Sequence, residues 1–209
     1  MICKAKKVLF VHIPGTAGTA IERAFCNEDW WTVNPVMKHA PLSVHAKAFR
    51  VDLRKFFVFS VVRHPYERLR SIFTRFGNAY GMTLNARGEI EVDGYFSLQR
   101  ARNNLYIEQQ PPSSLAEIGL SAAFLPQPHH TEYSVYRNYL DGIFSRIYRY
   151  EQIGECFREL TERFDLPSAS FKDRIMASPA GAKPPLSTRA RALVQQNLRM
   201  DFAEFGYEY

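Results

Sequence analysis

The sequence predicts an α/β domain with a central parallel sheet flanked by helices, on the strength of two apolar runs and the turn and helical pattern behind each. Val8-Leu9-Phe10-Val11-His12-Ile13 and Phe56-Phe57-Val58-Phe59-Ser60-Val61-Val62 are too short for typical helices and rich in strand formers, the pattern of strands covered on both faces. Each runs into a turn and then into helical periodicity. The stretch between them is long enough for the crossover that parallel strands require.

Before the first strand, Lys4, Lys6 and Lys7 form a basic cluster that reads as a solvated N-terminus. After it, Pro14 and Gly18 punctuate a turn, small Thr and Ala residues allow close backbone approach, and Ala20-Ile21-Glu22-Arg23-Ala24-Phe25 resumes a helical pattern. The second strand ends at Arg63, and Pro65 suits the first position of the next helix. Between Gly77 and Pro112 polar and turn residues accumulate, with Asn85-Ala86-Arg87-Gly88 as a turn signal, and residues 78–140 are expected to be an acceptor-side or lid insertion. Gly142 to Tyr150 reads as a further strand and Ile153 to Phe164 as a helix. Ser178 to Pro185 is a loop by composition, and Ser187 is placed to cap the last helix. At 209 residues and 46% hydrophobic content, one domain spanning 1–209 is expected.

The two turns carry the chemistry. A strand, a small-residue turn and a helix start point free N–H groups and the positive end of the helix dipole at an anion. Arg68 and Ser71 are three apart and share a helix face, and Arg63 projects from the strand end, so a guanidinium fork and a hydroxyl can meet one anion. Two such turns on adjacent strands suggest a ligand with two phosphates. Gly-x-x-x-x-Gly-Lys-Ser/Thr is absent, which excludes a nucleoside-triphosphate P-loop by pattern.

His12-Ile13-Pro14-Gly15-Thr16-Ala17-Gly18-Thr19 and Arg63-x-Pro65-x-x-Arg68-x-x-Ser71 resemble the two phosphate motifs of the sulfotransferase superfamily, particularly its carbohydrate-type and bacterial branch. Lys38-His39-Ala40-Pro41-Leu42, Phe124-Leu125-Pro126-Gln127, Tyr148-Arg149-Tyr150-Glu151 and Asp201 to Tyr207 are further family-like stretches. The resemblance implies a P-loop-like sulfotransferase fold and 3′-phosphoadenosine 5′-phosphosulfate (PAPS) as sulfuryl donor. It implies that Pro14, Gly15, Thr16, Ala17, Gly18, Thr19 and Ala20 hold the 5′-phosphosulfate. By the same resemblance Arg63 and Ser71 hold the 3′-phosphate, and the loop carrying Lys183 closes over the nucleotide. The expected reaction is sulfation of a hydroxyl, with a carbohydrate as acceptor.

Gly15 departs from the family, which carries there a lysine that stabilises charge on the leaving phosphate. Losing one preorganised donor costs about 10²-fold to 10³-fold in rate. Three readings stay open: Lys38 or Lys183 supplies the charge, the protein binds nucleotide with little turnover, or the position itself was altered. Sulfuryl transfer also needs a base. Of six histidines, His39 is the first candidate, by its family-like setting and its pKa class, and His45 the second. His129 and His130 are acceptor-side candidates, and His12 is expected to support the turn from below. The histidines lack metal-ligand spacing, so no metal is expected. Trp30-Trp31, Tyr133, Tyr136 and Tyr139 suit core filling more than stacking on a ligand.

A net charge of +6 favours anionic partners. It fits the nucleotide and equally a basic module for anionic polysaccharide or nucleic acid, of which nucleic acid is not expected here. Cys3, Cys26 and Cys156 lack a Cys-x-x-Cys pair, which points to a reducing compartment. No apolar stretch approaches a membrane span, so the expectation is a soluble, cytoplasmic, bacterial protein or a catalytic domain cut from a longer one. Oligomeric state and the acceptor's identity are not written in the motifs.

Overall fold

Val8–Val11 and Phe57–Val62 pair in parallel at the centre of a four-stranded sheet in the computed structural model of the chain. The structure describes residues 1–34, 37–76, 82–92, 140, 142–167, 171 and 183–209. Among them, in chain order, are β1 (Ile2–Cys3), β2 (Val8–Val11), α1 (Gly18–Cys26), α2 (Trp30–Val33), α3 (Leu42–Phe49), β3 (Phe57–Val62) and α4 (Pro65–Phe76). Next come β4 (Met82–Leu84), β5 (Ile90–Val92), β6 (Arg146–Arg149), α5 (Ile153–Phe164), α6 (Thr188–Asn197) and α7 (Arg199–Phe205). Short 3-10 turns lie at Leu53–Lys55 and Tyr150–Gln152. No helix among the described residues is long and apolar enough to cross a membrane.

The sheet order is β1-β2-β3-β6, with β2, β3 and β6 parallel and β1 antiparallel at one edge. The α/β class is as expected; the sheet is mixed because the chain doubles back through Lys4–Lys7, where Lys7 takes φ 52°. Lys6 is not merely solvated: its Nζ donates to the Phe164 carbonyl at 2.6 Å, placing a cation at the C-terminus of α5. Side-chain alternation sends Leu9, Val11, Val58 and Val62 to one face, where Leu69 and Ile72 of α4, Val194 of α6 and Phe202 of α7 cover them. Val8, Phe10, Phe59 and Val61 face the other way, onto Ile21 and Phe25 of α1 and Leu160 of α5. Helices on both faces explain why the central strands are apolar without alternation.

The strands are shorter than their sequence patterns. The first stops at Val11 because the His12 side chain turns to Glu22, and Pro14 has no N–H to offer a ladder. The third keeps only Arg146–Arg149 of the expected 142–150. Ser187 caps α6 as expected, accepting from the Ala190 N–H at 3.1 Å. Part of the expected insertion is a β4–β5 hairpin turning at Asn85-Ala86-Arg87-Gly88, with Met82, Ile90 and Val92 buried in the core. It is tied to the chain before α6, since Ile90 donates to Pro185 and Ser187 donates to Ile90, at 2.7 and 3.0 Å. The rest of the insertion, with Phe124 to Gln127, His129, His130, Tyr133, Tyr136 and Tyr139, lies outside the described residues, as do positions 178–182.

His45 of α3 is fully buried, stacked on Phe49 at 5.8 Å, and neither ring nitrogen has a hydrogen-bond partner among the described residues. Burial, with the buried Met1 amine, holds its pKa well below the ordinary 6.5. The unfolded chain therefore takes up a proton below pH 6.5 that the folded chain refuses, and stability falls as pH falls through that range. His45→Leu loses no hydrogen bond and is expected to be as stable as the parent or more so near neutral pH. It should also flatten the acid-side slope by about 1.4 kcal/mol per pH unit. Urea denaturation at about pH 7 and about pH 5.5 checks both, and an unchanged slope contradicts the assignment.

Candidate active site

The turn between β2 and α1 is shaped by two left-handed residues. Gly15 has φ 84° and Ala17 φ 67°, with Thr16 between them outside the positive-φ region. This alternation gathers successive N–H groups into an anion-binding concavity. The Thr16 hydroxyl donates to the Ile13 carbonyl at 2.7 Å, so it fastens the turn. Ala17, the residue before α1, makes no side-chain cap, leaving the first N–H groups of a nine-residue helix facing the turn.

The second segment clamps the first. Arg68 Nε donates to the Pro14 carbonyl at 3.0 Å and Arg63 Nη1 donates to the Gly15 carbonyl at 3.1 Å. With these two acceptors engaged, the turn has mainly donors left to offer a ligand. Both arginines are buried. Pro65 opens α4 as expected, and His64 Nδ1 accepts from the Tyr66 N–H at 3.2 Å. Ser71 is half-buried on the same helix, three residues beyond Arg68. Because Val62 pairs with Arg149, the next residues also meet: the Arg63 guanidinium lies 3.9 Å over the Tyr150 ring. Glu151 braces this corner, accepting from the His64 N–H at 2.9 Å and from the Tyr207 hydroxyl at 3.1 Å.

Lys183 is brought to the same place. Arg70 donates to the carbonyls of Pro184, at 2.9 Å, and of Lys183, and to Glu67 Oε1 at 2.5 Å. Burial lowers the Lys183 pKa, and the Arg63 and Arg70 charges lower it further against the pull of Glu67. Three cations thus stand within electrostatic reach of one another, an arrangement that a bound anion relieves. The motif leaves position 70 undefined, so sequence reasoning missed Arg70; its place between Arg68 and Ser71 in a basic helix turn is the available signal.

A family model for the sulfotransferase family matches residues 1–113, more than half of the chain and inclusive of both segments. The chain belongs to the sulfotransferase family. No curated protein and no solved structure matches it.

Behind the turn, this sulfotransferase-family chain buries a charged network around Glu22 of α1. His12 Nδ1 donates to Glu22 Oε1 at 2.6 Å, Lys38 Nζ to Glu22 Oε2 at 2.7 Å and to Asp29, and the Trp30 N–H to Glu22 Oε2 at 3.2 Å. Burial alone would raise the Glu22 pKa, but His12 and Lys38 outweigh it and hold the carboxyl well below the usual carboxylate range. Burial also lowers His12 despite Glu22, so it serves as a neutral donor. Lys38, expected as a substitute for the family lysine, is buried with its charge against these two carboxylates. His39 is buried in edge-to-face contact with His12, ring centroids 4.4 Å apart, and its Nδ1 donates to the His12 carbonyl at 2.9 Å. That bond assigns the lone pair to Nε2. Burial, then His12, push the His39 pKa well below 6.5. His45 lies apart from this network, against Trp30 and Phe49. Sequence reasoning missed Glu22, whose only sign is an acid on an otherwise apolar helix face.

The His12 ring explains Gly18. A Cβ there would meet His12 Cδ2 at 2.0 Å, whereas one at Gly15 would meet Arg68 Cγ at 3.5 Å, an ordinary contact. Gly18→Ala is therefore expected to cost about 3 kcal/mol by overpacking. Gly15→Ala should cost about 1 kcal/mol through its left-handed backbone. Chemical denaturation of the two variants checks this order, and equal losses contradict it.

Proposed function

We propose that the chain transfers a sulfuryl group from PAPS to a hydroxyl, with a carbohydrate as acceptor. The observation that carries this is the clamp of Arg63 and Arg68 on the carbonyls of Pro14 and Gly15. It turns the first segment into a set of donors and sets the cations Arg63, Arg70 and Lys183 beside it. When bound, the donor supplies a sulfuryl group on a mixed anhydride with phosphate, whose cleavage leaves charge on that phosphate. Residues 14–20, through the N–H groups from Gly15 onward, hold the 5′ side, and Arg63 and Ser71, with Arg70, hold the 3′-phosphate. His39 accepts the proton of the acceptor hydroxyl at Nε2, the nitrogen left unprotonated by its bond to His12.

Gly15 decides how the leaving charge is met. Its φ of 84° is unfavourable for a lysine, and Lys38 is committed to Glu22 and Asp29, so the charge falls to Lys183. A second reading, nucleotide binding with little turnover, is favoured by the same two facts.

Calorimetric titration with 3′-phosphoadenosine 5′-phosphate tests the site. Arg63→Ala is expected to weaken binding about 100-fold, the size of a lost charge-assisted fork. Equal binding by parent and variant contradicts the reading. With a carbohydrate acceptor, Lys183→Ala should retain the nucleotide and lose turnover, whereas a parent that binds without turning over supports the second reading. Because the His39 pKa lies below 6.5, kcat/KM should hold level through neutral pH and fall only below pH 6.5, and His39→Ala should abolish that limb.

A further inference from the structure

At the other end of the sheet the parallel strands begin in a cationic cleft. It is an open hollow of about 400 Å³ lined by Arg54, Lys55, Phe56, Phe57, Ser145, Arg146, Glu159 and Arg163. Phe57 is the first residue of β3 and Arg146 the first of β6, while the anion turns follow the last residues of β2 and β3. A full strand length, about 17 Å, therefore separates the two places. The lining carries four cations and one acid, drawn from the 3-10 turn, β6 and α5. Arg54 is paired with Asp52 at 2.9 Å, and Arg146 faces Glu159 at 3.9 Å, both near solvent, where such pairs are weak. Lys55 and Arg163 are exposed and make no ion pair among the described residues.

We infer that this cleft docks an anionic polysaccharide, a chain of sugars bearing sulfate or carboxylate groups. Three features favour that occupant. The cations are spread over three elements, so they match charges repeated along a polymer and not a single compact anion. The cleft is shallow and open, which suits a chain passing across it. Among the described residues of the lining no aromatic face stands open for a base to stack upon, since the Arg163 guanidinium covers Phe57 at 4.2 Å and Phe56 packs into the core. Single-stranded nucleic acid depends on such platforms. The assignment rests on this cleft and not on the transfer reaction.

The test is heparin binding over a salt series by the parent and by the double variant Lys55→Ser/Arg163→Gln. Both positions are exposed, so both proteins should fold alike, with only a small drop in thermal stability in the variant from the lost Arg163 contact over Phe57. Each lost contact should weaken heparin binding about tenfold near 0.1 M salt and lower the slope of log affinity against log salt by about one. Titration with 3′-phosphoadenosine 5′-phosphate should be the same for both proteins, which separates this site from the donor turn. Absence of heparin binding by the parent, or an affinity and slope unaltered in the variant, overturns the proposal. Equally tight binding of a single-stranded oligonucleotide of matched charge, with the same loss in the variant, overturns the polysaccharide assignment.

Discussion

Glu22 holds a negative charge where water does not reach, and the architecture around the turn between β2 and α1 depends on how that charge is satisfied. An isolated carboxylate in such a place would be protonated or would unfold the region. Here His12 reaches it from the end of β2, Lys38 from the chain before α3, and the Trp30 N–H from α2. Removing one partner of such a buried group typically costs about 3–5 kcal/mol. The network therefore fixes where α1 starts relative to β2, sets the His12 ring against Gly18, and positions the His12 carbonyl that holds His39. A short loop is thus anchored from beneath by buried charges.

Above that anchor, the sheet register does the assembly. β2 and β3 are neighbours, so the turns at their ends emerge side by side, and Arg63 and Arg68 need only the length of their own side chains to reach the carbonyls of Pro14 and Gly15. β6 adds the third side: its register with β3 delivers Tyr150 beneath Arg63, and Glu151 then fastens the His64 turn to Tyr207. Parallel strands put all three of these segments at one end of the sheet. The same rule leaves the strand beginnings at the opposite end, where Lys55, Arg146 and Arg163 collect around the second cleft.

Gly15 shows how the role of a position is set by its surroundings. At Gly15 the backbone is left-handed and its carbonyl is held by Arg63, so the residue contributes shape and an acceptor instead of a charge. The cation nearest in sequence pattern, Lys38, is consumed by the buried carboxylates. The cation that meets Arg63 and Arg70 is Lys183, more than a hundred residues away along the chain and drawn in by backbone bonds from Arg70.

Sequence alone determined the features that rest on local physics. The continuous apolar runs at Val8–Val11 and Phe57–Val62, the helix at Ile153–Phe164, the Ser187 cap and the turn behind each of the two strands were legible because period, capping and small-residue turns act over a few residues. Tertiary structure decided what depends on partners distant in sequence. That Thr16 fastens its own turn, that Arg68 serves a carbonyl, that Lys38 is buried and Lys183 recruited, and that Glu22 is the pivot all depend on which donors meet which acceptors after folding. A side chain's chemistry is fixed by its residue type, but its role is set by what remains unsatisfied around it, and burial creates that demand only when the chain has closed.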